Sequence, residues 1–205
     1  MAEKNVGVRS LLMSPSIYSF TQRLLGGEKS RKVFVAEYVR PRTGDRILDI
    51  GCGPGDILEY LPDVDYVGFD ANPRYIDRAV GRFQDRGKFQ CQRVSEETLE
   101  GLPPFNIVLA CAILHHLDNE EANHLFAIVK SSLRAGGRLI TLDCCYMPGQ
   151  SLLSKFFIGL DRGQNIRSAM EYRALAERHF SNVSVHVRTD MLWIPYTHII
   201  MDVHE

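Results

Sequence analysis

The stretch Leu48–Gly55, LDIGCGPG, reads as an apolar strand that stops abruptly in a glycine-rich loop. Such loops bring backbone close to a ligand, because glycine accepts positive φ and has no Cβ in the way. Glycines stand at 51, 53 and 55, whereas the dinucleotide fingerprint G-x-G-x-x-G needs its third at 56, which is Asp56. That third glycine lets a helix N-terminus approach a pyrophosphate, and a carboxylate there would repel one. A P-loop is excluded too, since no G-K-[ST] follows.

The loop suits a ligand without phosphate. Asp49, at the strand end, can accept a hydrogen bond from an ammonium group. Asp70 closes the second strand, DYVGFD, 19 residues after Gly51, and a carboxylate there can hold both hydroxyls of a ribose. A ribose, an amino-acid portion and positive character describe S-adenosylmethionine.

Outward from the loop, strands and helices alternate. A short helix is predicted around Asp56–Leu61. Asn72-Pro73 opens another, with Ile76, Ala79, Val80 and Phe83 on its buried face. KFQCQRV (Lys88–Val94) reads as the third strand and FNIVLAC (Phe105–Cys111) as the fourth. The fourth is nearly all apolar, as a strand covered on both faces should be. Asp118 and Glu121 have capping-box spacing. The helix behind them carries Ala122, Leu125, Val129 and Leu133 inward and is expected to stop at Gly136-Gly137, before the fifth strand RLITLDC. NVSVHVRT and YTHIIMDVH follow a helix near Ala169–His179. About seven residues separate them, too few for a helical crossover, so they should pair antiparallel. Two helices are expected before the first strand, near Pro15–Leu25 and Ser30–Arg40. The fold class is α/β, a doubly wound sheet with N-terminal helices.

The 205 residues suffice for one such domain, here 1–205 with residues 1–40 as a helical cap. A net charge of −1 gives no global attraction to nucleic acid or an anionic membrane, and KSRK (Lys29–Lys32) reads as a solvated helix face. No apolar run of about 18 residues and no signal-like N-terminus occur, so membrane insertion is not expected and the cytoplasm is the expected location. The five cysteines fit neither a disulfide framework nor zinc spacing, and read as reduced and mostly buried.

LDIGCGPG, YVGFDANP, FNIVLACAILHHLD and LRAGGRLITLDC resemble, in order, the motifs of class I S-adenosylmethionine-dependent methyltransferases. The resemblance covers roughly Lys32–Glu205. It implies a Rossmann-like seven-stranded sheet of order 3-2-1-4-5-7-6 with the last strand antiparallel, and S-adenosylhomocysteine as product. It assigns Asp49, Gly51, Cys52 and Gly53 to the methionine end of the cofactor and Asp70, with Ala71 and Asn72, to the ribose. Val94, Ser95 and Glu96 would border the adenine, with a backbone amide bonding it. Ala110 and Cys111 would face the methionine portion, and Tyr18 would close over the cofactor.

Methyl transfer from a sulfonium is an in-line displacement that depends chiefly on positioning, with a base needed only where the acceptor must lose a proton early. His115 and His116, just past the fourth strand, are the base candidates, and one is expected to have an orienting role instead, His116 by its nearness to the helix cap. Asp143 is a third candidate; His198, within a strand, reads as structural. No metal is expected. The long connection Cys144–Ser168 is expected to cap the site with a short helix in SLLSKFFIGL, and Arg162 or Arg167 to meet a polar acceptor. Methyltransferases acting on base amino groups carry [DN]-P-P-[FYW] after the fourth strand, and this chain does not. A small or medium metabolite, such as a sugar or envelope-glycan precursor, is the expected acceptor. The alternatives are a methyltransferase-like binding protein without catalysis and a nicotinamide-dependent oxidoreductase.

Overall fold

The computed structural model describes residues 26–161 and 163–205. The expected first helix and Tyr18 lie outside the described residues, as does Arg162.

Seven strands form one sheet: β1 (Arg46–Ile50), β2 (Asp65–Phe69), β3 (Lys88–Gln90), β4 (Phe105–Cys111), β5 (Leu133–Cys144), β6 (Asn182–Arg188) and β7 (His198–His204). Their order is β3-β2-β1-β4-β5-β7-β6. β1 to β5 run parallel, and β7 is antiparallel to both β5 and β6, as the short link before it requires.

Alternation along the central strands sorts side chains to two covered faces. Leu48, Val108 and Ala110 meet Leu125, Phe126 and Val129 of α4 (Asn119–Ser132) and Tyr172 and Leu175 of α6 (Ala169–Ala176). Ile47, Ile107 and Leu109 face Phe34, Leu58, Ile76 and Phe83 on the other side. This second layer is built from α1 (Gly27–Val33), its π-helical continuation Phe34–Val39, the 3-10 turn Asp56–Tyr60 and α2 (Pro73–Phe83). The remaining short helices are α3 (Glu96–Leu99) and α5 (Leu152–Gly159).

Several expectations are corrected. Val80 is 49% exposed, so the buried face of α2 is Ile76, Ala79 and Phe83 alone. The third strand ends at Gln90: it is an edge strand paired only with Val67–Phe69, and the polar run after it has nothing to pair with. The helix before β5 ends at Ser132, not at the glycines, and Leu133 already pairs with Phe105. Gly137 lies inside β5, where a Cβ would come within 2.9 Å of the Arg134 and Phe105 carbonyl oxygens. Close backbone approach, rather than a helix stop, accounts for that glycine.

Candidate active site

The site forms where β1, β2, β4 and β5 end. Gly51 leaves β1 at φ 69°, and its N–H and that of Cys52 both donate to the Phe69 carbonyl, at 2.7 and 3.0 Å. A Cβ on Gly51 would overlap Ile113 Cδ1 at 2.1 Å, so the loops after β1 and β4 touch there. A Cβ on Gly53 would meet nothing within 4 Å: this glycine borders open space. Asp70 joins the two loops. One carboxylate oxygen accepts from the Gly53 N–H (2.9 Å) and the other from Asn72 N–H (2.7 Å). A carboxylate has about four acceptor positions, so both oxygens keep capacity for ribose hydroxyls. Asn72 itself caps α2 through Arg74 N–H, and Ala71 between them is exposed.

Asp49 is buried beside this loop. One of its oxygens accepts from the Tyr66 hydroxyl at 2.6 Å, and the other accepts no bond from a described residue. Burial pushes its carboxyl up to about 7, against the pull of the Tyr66 bond. A cation arriving at the free oxygen would stabilise the charged form. Cys52 packs under the loop, its Sγ 2.8 Å from where a Gly68 Cβ would stand, so Gly68 is fixed by that contact. Tyr66 carried no signal in the sequence, because a tyrosine in an apolar strand reads as core.

On the adenine side, Val94 and Ser95 are half-buried. Ser95 caps α3 reciprocally with Thr98, and its own N–H already donates to Thr98 Oγ1 at 2.8 Å. An adenine-bonding amide in this stretch is therefore not that of Ser95. Ala110 is buried and Cys111 half-buried at the end of β4. Ala112 follows with φ 57°, a left-handed conformation that a non-glycine residue adopts at a cost and that turns the chain into the next loop. No sequence signal marked it.

Asp56 makes ion pairs with Arg31 of α1 and Arg82 of α2, at 3.1 and 2.5 Å. The residue that breaks the dinucleotide fingerprint thus ties both flanking helices to the loop.

Beyond β4, the ring of His115 is held between two carboxylates, where His116 was the residue expected to be the orienting one. His115 is buried. Its Nδ1 lies 2.7 Å from Asp143 Oδ1, and its Nε2 lies 3.1 Å from Asp161 Oδ1. Burial alone would lower its pKa, but the two carboxylates outweigh it and hold the ring protonated up to about 9. Burial pushes the Asp143 carboxyl up, with the His115 bond pulling against it, whereas Asp161 is held well below the usual carboxylate range because bonds from His115 and Tyr196 overcome its partial burial. His116 is exposed, its ring 4.1 Å from that of His115. His198 is buried in β7, as expected, and burial lowers it to about 4.

Arg167, one of the two arginines expected to meet a polar acceptor, turns inward instead. It is 8% exposed and donates to the carbonyls of Leu114, Leu117 and Asn165 and to Asn119 Oδ1. Asn165 N–H donates to the His115 carbonyl, and a Cβ on Gly163 would stand 2.2 Å from His115 Cδ2. The tail of the long connection is thus laid directly over the two histidines. Ahead of it, α5 leaves Leu152, Leu153 and Phe156 exposed.

A glycine loop after β1, an acidic residue closing β2 and this sheet order are the features that the resemblance to class I S-adenosylmethionine-dependent methyltransferases implied. Comparison with known proteins agrees. Residues 48–139 match the family described as a methyltransferase domain. The chain is 26% identical over 171 residues to phosphoethanolamine N-methyltransferase 1 of Arabidopsis thaliana, across 80% of this chain and 34% of that protein. It is 31% identical over 115 residues to 27-O-demethylrifamycin SV methyltransferase of Amycolatopsis mediterranei, across 52% of this chain and 41% of that protein. It thus spans well under half the length of these curated relatives. Among solved structures, the pyocyanin biosynthetic protein PhzM superposes with a TM-score of 0.72 at 15% identity, over 96% of this chain and 61% of that one. The plantazolicin methyltransferase BpumL, in complex with a triazolic desmethylPZN analog and SAH, gives 0.66 at 16%, over 96% and 94%. The matched segment is thus that of a methyltransferase domain, and the fold is one that solved methyltransferases share.

Proposed function

We propose that the protein transfers the methyl group of S-adenosylmethionine to a small or medium-sized metabolite. The observation that carries this reading is the junction at Asp70, whose carboxylate holds the amides of Gly53 and Asn72 at the edge of open space with acceptor capacity to spare. Asp49 adds a buried carboxylate with one oxygen open to the cofactor ammonium. The bound cofactor supplies a methyl already activated by a positive sulfur. The chain's own work is then to hold the acceptor in line and to exclude water.

Asp49, Gly51, Cys52 and Gly53 are assigned to the methionine end, Asp70, Ala71 and Asn72 to the ribose, Val94 and Ser95 to the adenine border, and Ala110 and Cys111 to the methyl side. Tyr18 keeps its proposed place over the cofactor. The 144–168 segment is proposed as the acceptor cap, since residues 163–167 lie on the His115–His116 turn. Proton removal, for acceptors that need it, is assigned to His116, which is exposed beside the buried His115. Relatives named for phosphoethanolamine and for a rifamycin hydroxyl support a small acceptor with a nitrogen or oxygen nucleophile. A sugar or envelope-glycan precursor is the narrower class to screen first.

Calorimetric titration with S-adenosylmethionine and S-adenosylhomocysteine tests the cofactor, followed by transfer of a labelled methyl to a panel of amines, phosphorylated amines, phenols and sugars. Micromolar binding with label recovered in one acceptor class is expected. Binding without transfer to any acceptor would favour a methyltransferase-like binding protein, and no binding by the folded chain would overturn the reading.

A further inference from the structure

Three side chains from separate elements converge under the cap segment. His115 comes from the 3-10 turn Leu114–His116, Cys144 ends β5, and Asp161 follows α5. His115 Nε2, Cys144 Sγ and a carboxylate oxygen of Asp161 all lie within 4.8 Å of one another. We propose that these atoms bind a divalent metal ion of the zinc type, which staples the cap segment to the sheet. The inference does not rest on methyl transfer.

The donor set is one imidazole nitrogen, one thiolate and one carboxylate, which suits a borderline-soft ion such as Zn²⁺ rather than Mg²⁺ or Ca²⁺. The surroundings have the form of a metal centre's outer shell. His115 Nδ1 is bonded to Asp143 at 2.7 Å, which fixes the ring and aims Nε2 at Asp161, the arrangement that metal-bound histidines use. The second Asp161 oxygen is held by the Tyr196 hydroxyl at 2.9 Å. Size also fits. A tetrahedral ion with ordinary Zn–N, Zn–O and Zn–S lengths separates its donors by roughly 3.3–3.7 Å. The His115–Asp161 edge, at 3.1 Å, is already short enough, and the thiolate needs to close by about 1 Å at most.

A further buried side chain borders the three. His198 stands opposite Cys144 across the β5–β7 ladder, so the two side chains share a face. It is 8% exposed, its Nδ1 has no hydrogen-bond partner, and it feels the Asp161 carboxylate electrostatically. Its ring lies outside the group of donor atoms within 4.8 Å of one another, so the three donors leave the fourth tetrahedral position open. His115 and Cys144 are buried, while Asp161 is 29% exposed in its side chain and offers the way in. Binding displaces the Nε2 proton and the thiol proton to solvent.

The test uses the full chain, stripped with a chelator and titrated with Co²⁺ alone. One equivalent should bind with a thiolate-to-cobalt charge-transfer band in the near ultraviolet, and Zn²⁺ should bleach that band one for one. The band should vanish in Cys144→Ser and persist in Cys91→Ser, which removes the exposed thiol. Asp161→Asn, on the partly exposed ligand, should weaken Co²⁺ binding at least tenfold. Zn²⁺ should raise the Tm of the wild type and leave that of Cys144→Ser unmoved. Absence of the band, or its survival in Cys144→Ser, would overturn the proposal.

Discussion

The Tyr66 hydroxyl donates to buried Asp49 at 2.6 Å, so the second strand favours the charged form of a carboxylate on the first against the pull of burial. Burial holds Asp49 near 7 against an ordinary value of 3.8. A folded value above the unfolded one means that the protonated form is the stabilising one. Its contribution is complete below about pH 4 and is lost as pH rises through about 7. Ligand-free wild type and Asp49→Asn should therefore unfold at similar temperatures at pH 4 and below, with the variant increasingly the more stable toward pH 8. Cofactor binding has the opposite sense, because the ammonium needs the carboxylate. Affinity should rise between about pH 6 and 7.5 in the wild type, and should be weak and flat in Asp49→Asn. Tyr66→Phe, which removes the bond favouring the charged form, should lower affinity at pH 7 by roughly threefold to tenfold. Calorimetry across the pH series checks all three, and a level wild-type profile would remove Asp49 from the ammonium site.

Asp70 has two tasks that substitution can separate. It joins the loops after β1 and β2 through the Gly53 and Asn72 amides, and it is proposed to accept the ribose hydroxyls. Asp70→Ala should weaken cofactor binding at least tenfold, about 1.4 kcal/mol. Asp70→Asn keeps one acceptor oxygen and should fall between wild type and alanine. Adenine and methionine fragments, which lack the ribose, should lose little in either variant. Equal losses for the fragments would mean that loop geometry, not ribose contact, is what Asp70 supplies.

Arg167 bridges the carbonyls of Leu114, Leu117 and Asn165. Removing a buried charged donor leaves those oxygens without it, at about 1–3 kcal/mol for an unmet buried group. Arg167→Met should lower unfolding stability by about 2–4 kcal/mol in urea. Arg167→Lys should recover little, since an ammonium cannot fork to several carbonyls. A change under 0.5 kcal/mol would show that the loop is held by other bonds.

How much of this could be read in advance follows from how local each signal is. The alternation of strands and helices and the antiparallel tail were legible because apolar runs, glycine loops and a short link before the last strand are local, whereas the strand order came only from the family resemblance. The capping box at Asp118 and the loop positions Gly51, Gly53 and Asp70 were legible for the same reason. Gly136-Gly137 misled because a glycine pair reads the same whether it ends a helix or admits a neighbouring carbonyl, and only the Phe105 contact decides. Arg167 misled because a charged residue in a polar stretch reads as exposed, while its partners lie some fifty residues earlier. The Asp143–His115 bond spans 28 residues and joins the ends of two strands whose adjacency exists only in the sheet.

The two adjacent histidines should separate cleanly. His115 is sandwiched between Asp143 and Asp161, and Asp143 is fully buried. His115→Ala leaves that carboxylate without its charged partner, and breaking a buried pair from one side costs about 3–5 kcal/mol. The variant should therefore unfold far more readily, whatever becomes of activity. His116 is exposed, and His116→Ala should change stability by less than about 0.5 kcal/mol. If His116 takes the acceptor's proton, the same change should cut kcat by about 100-fold for a hydroxyl acceptor, leave cofactor affinity unaltered and have little effect on an acceptor that arrives already deprotonated. Urea unfolding and steady-state kinetics on the two variants provide the check. A stable His116→Ala enzyme with wild-type kcat on a hydroxyl acceptor would move proton removal back to His115, which would then require Asp161 to leave Nε2 during turnover.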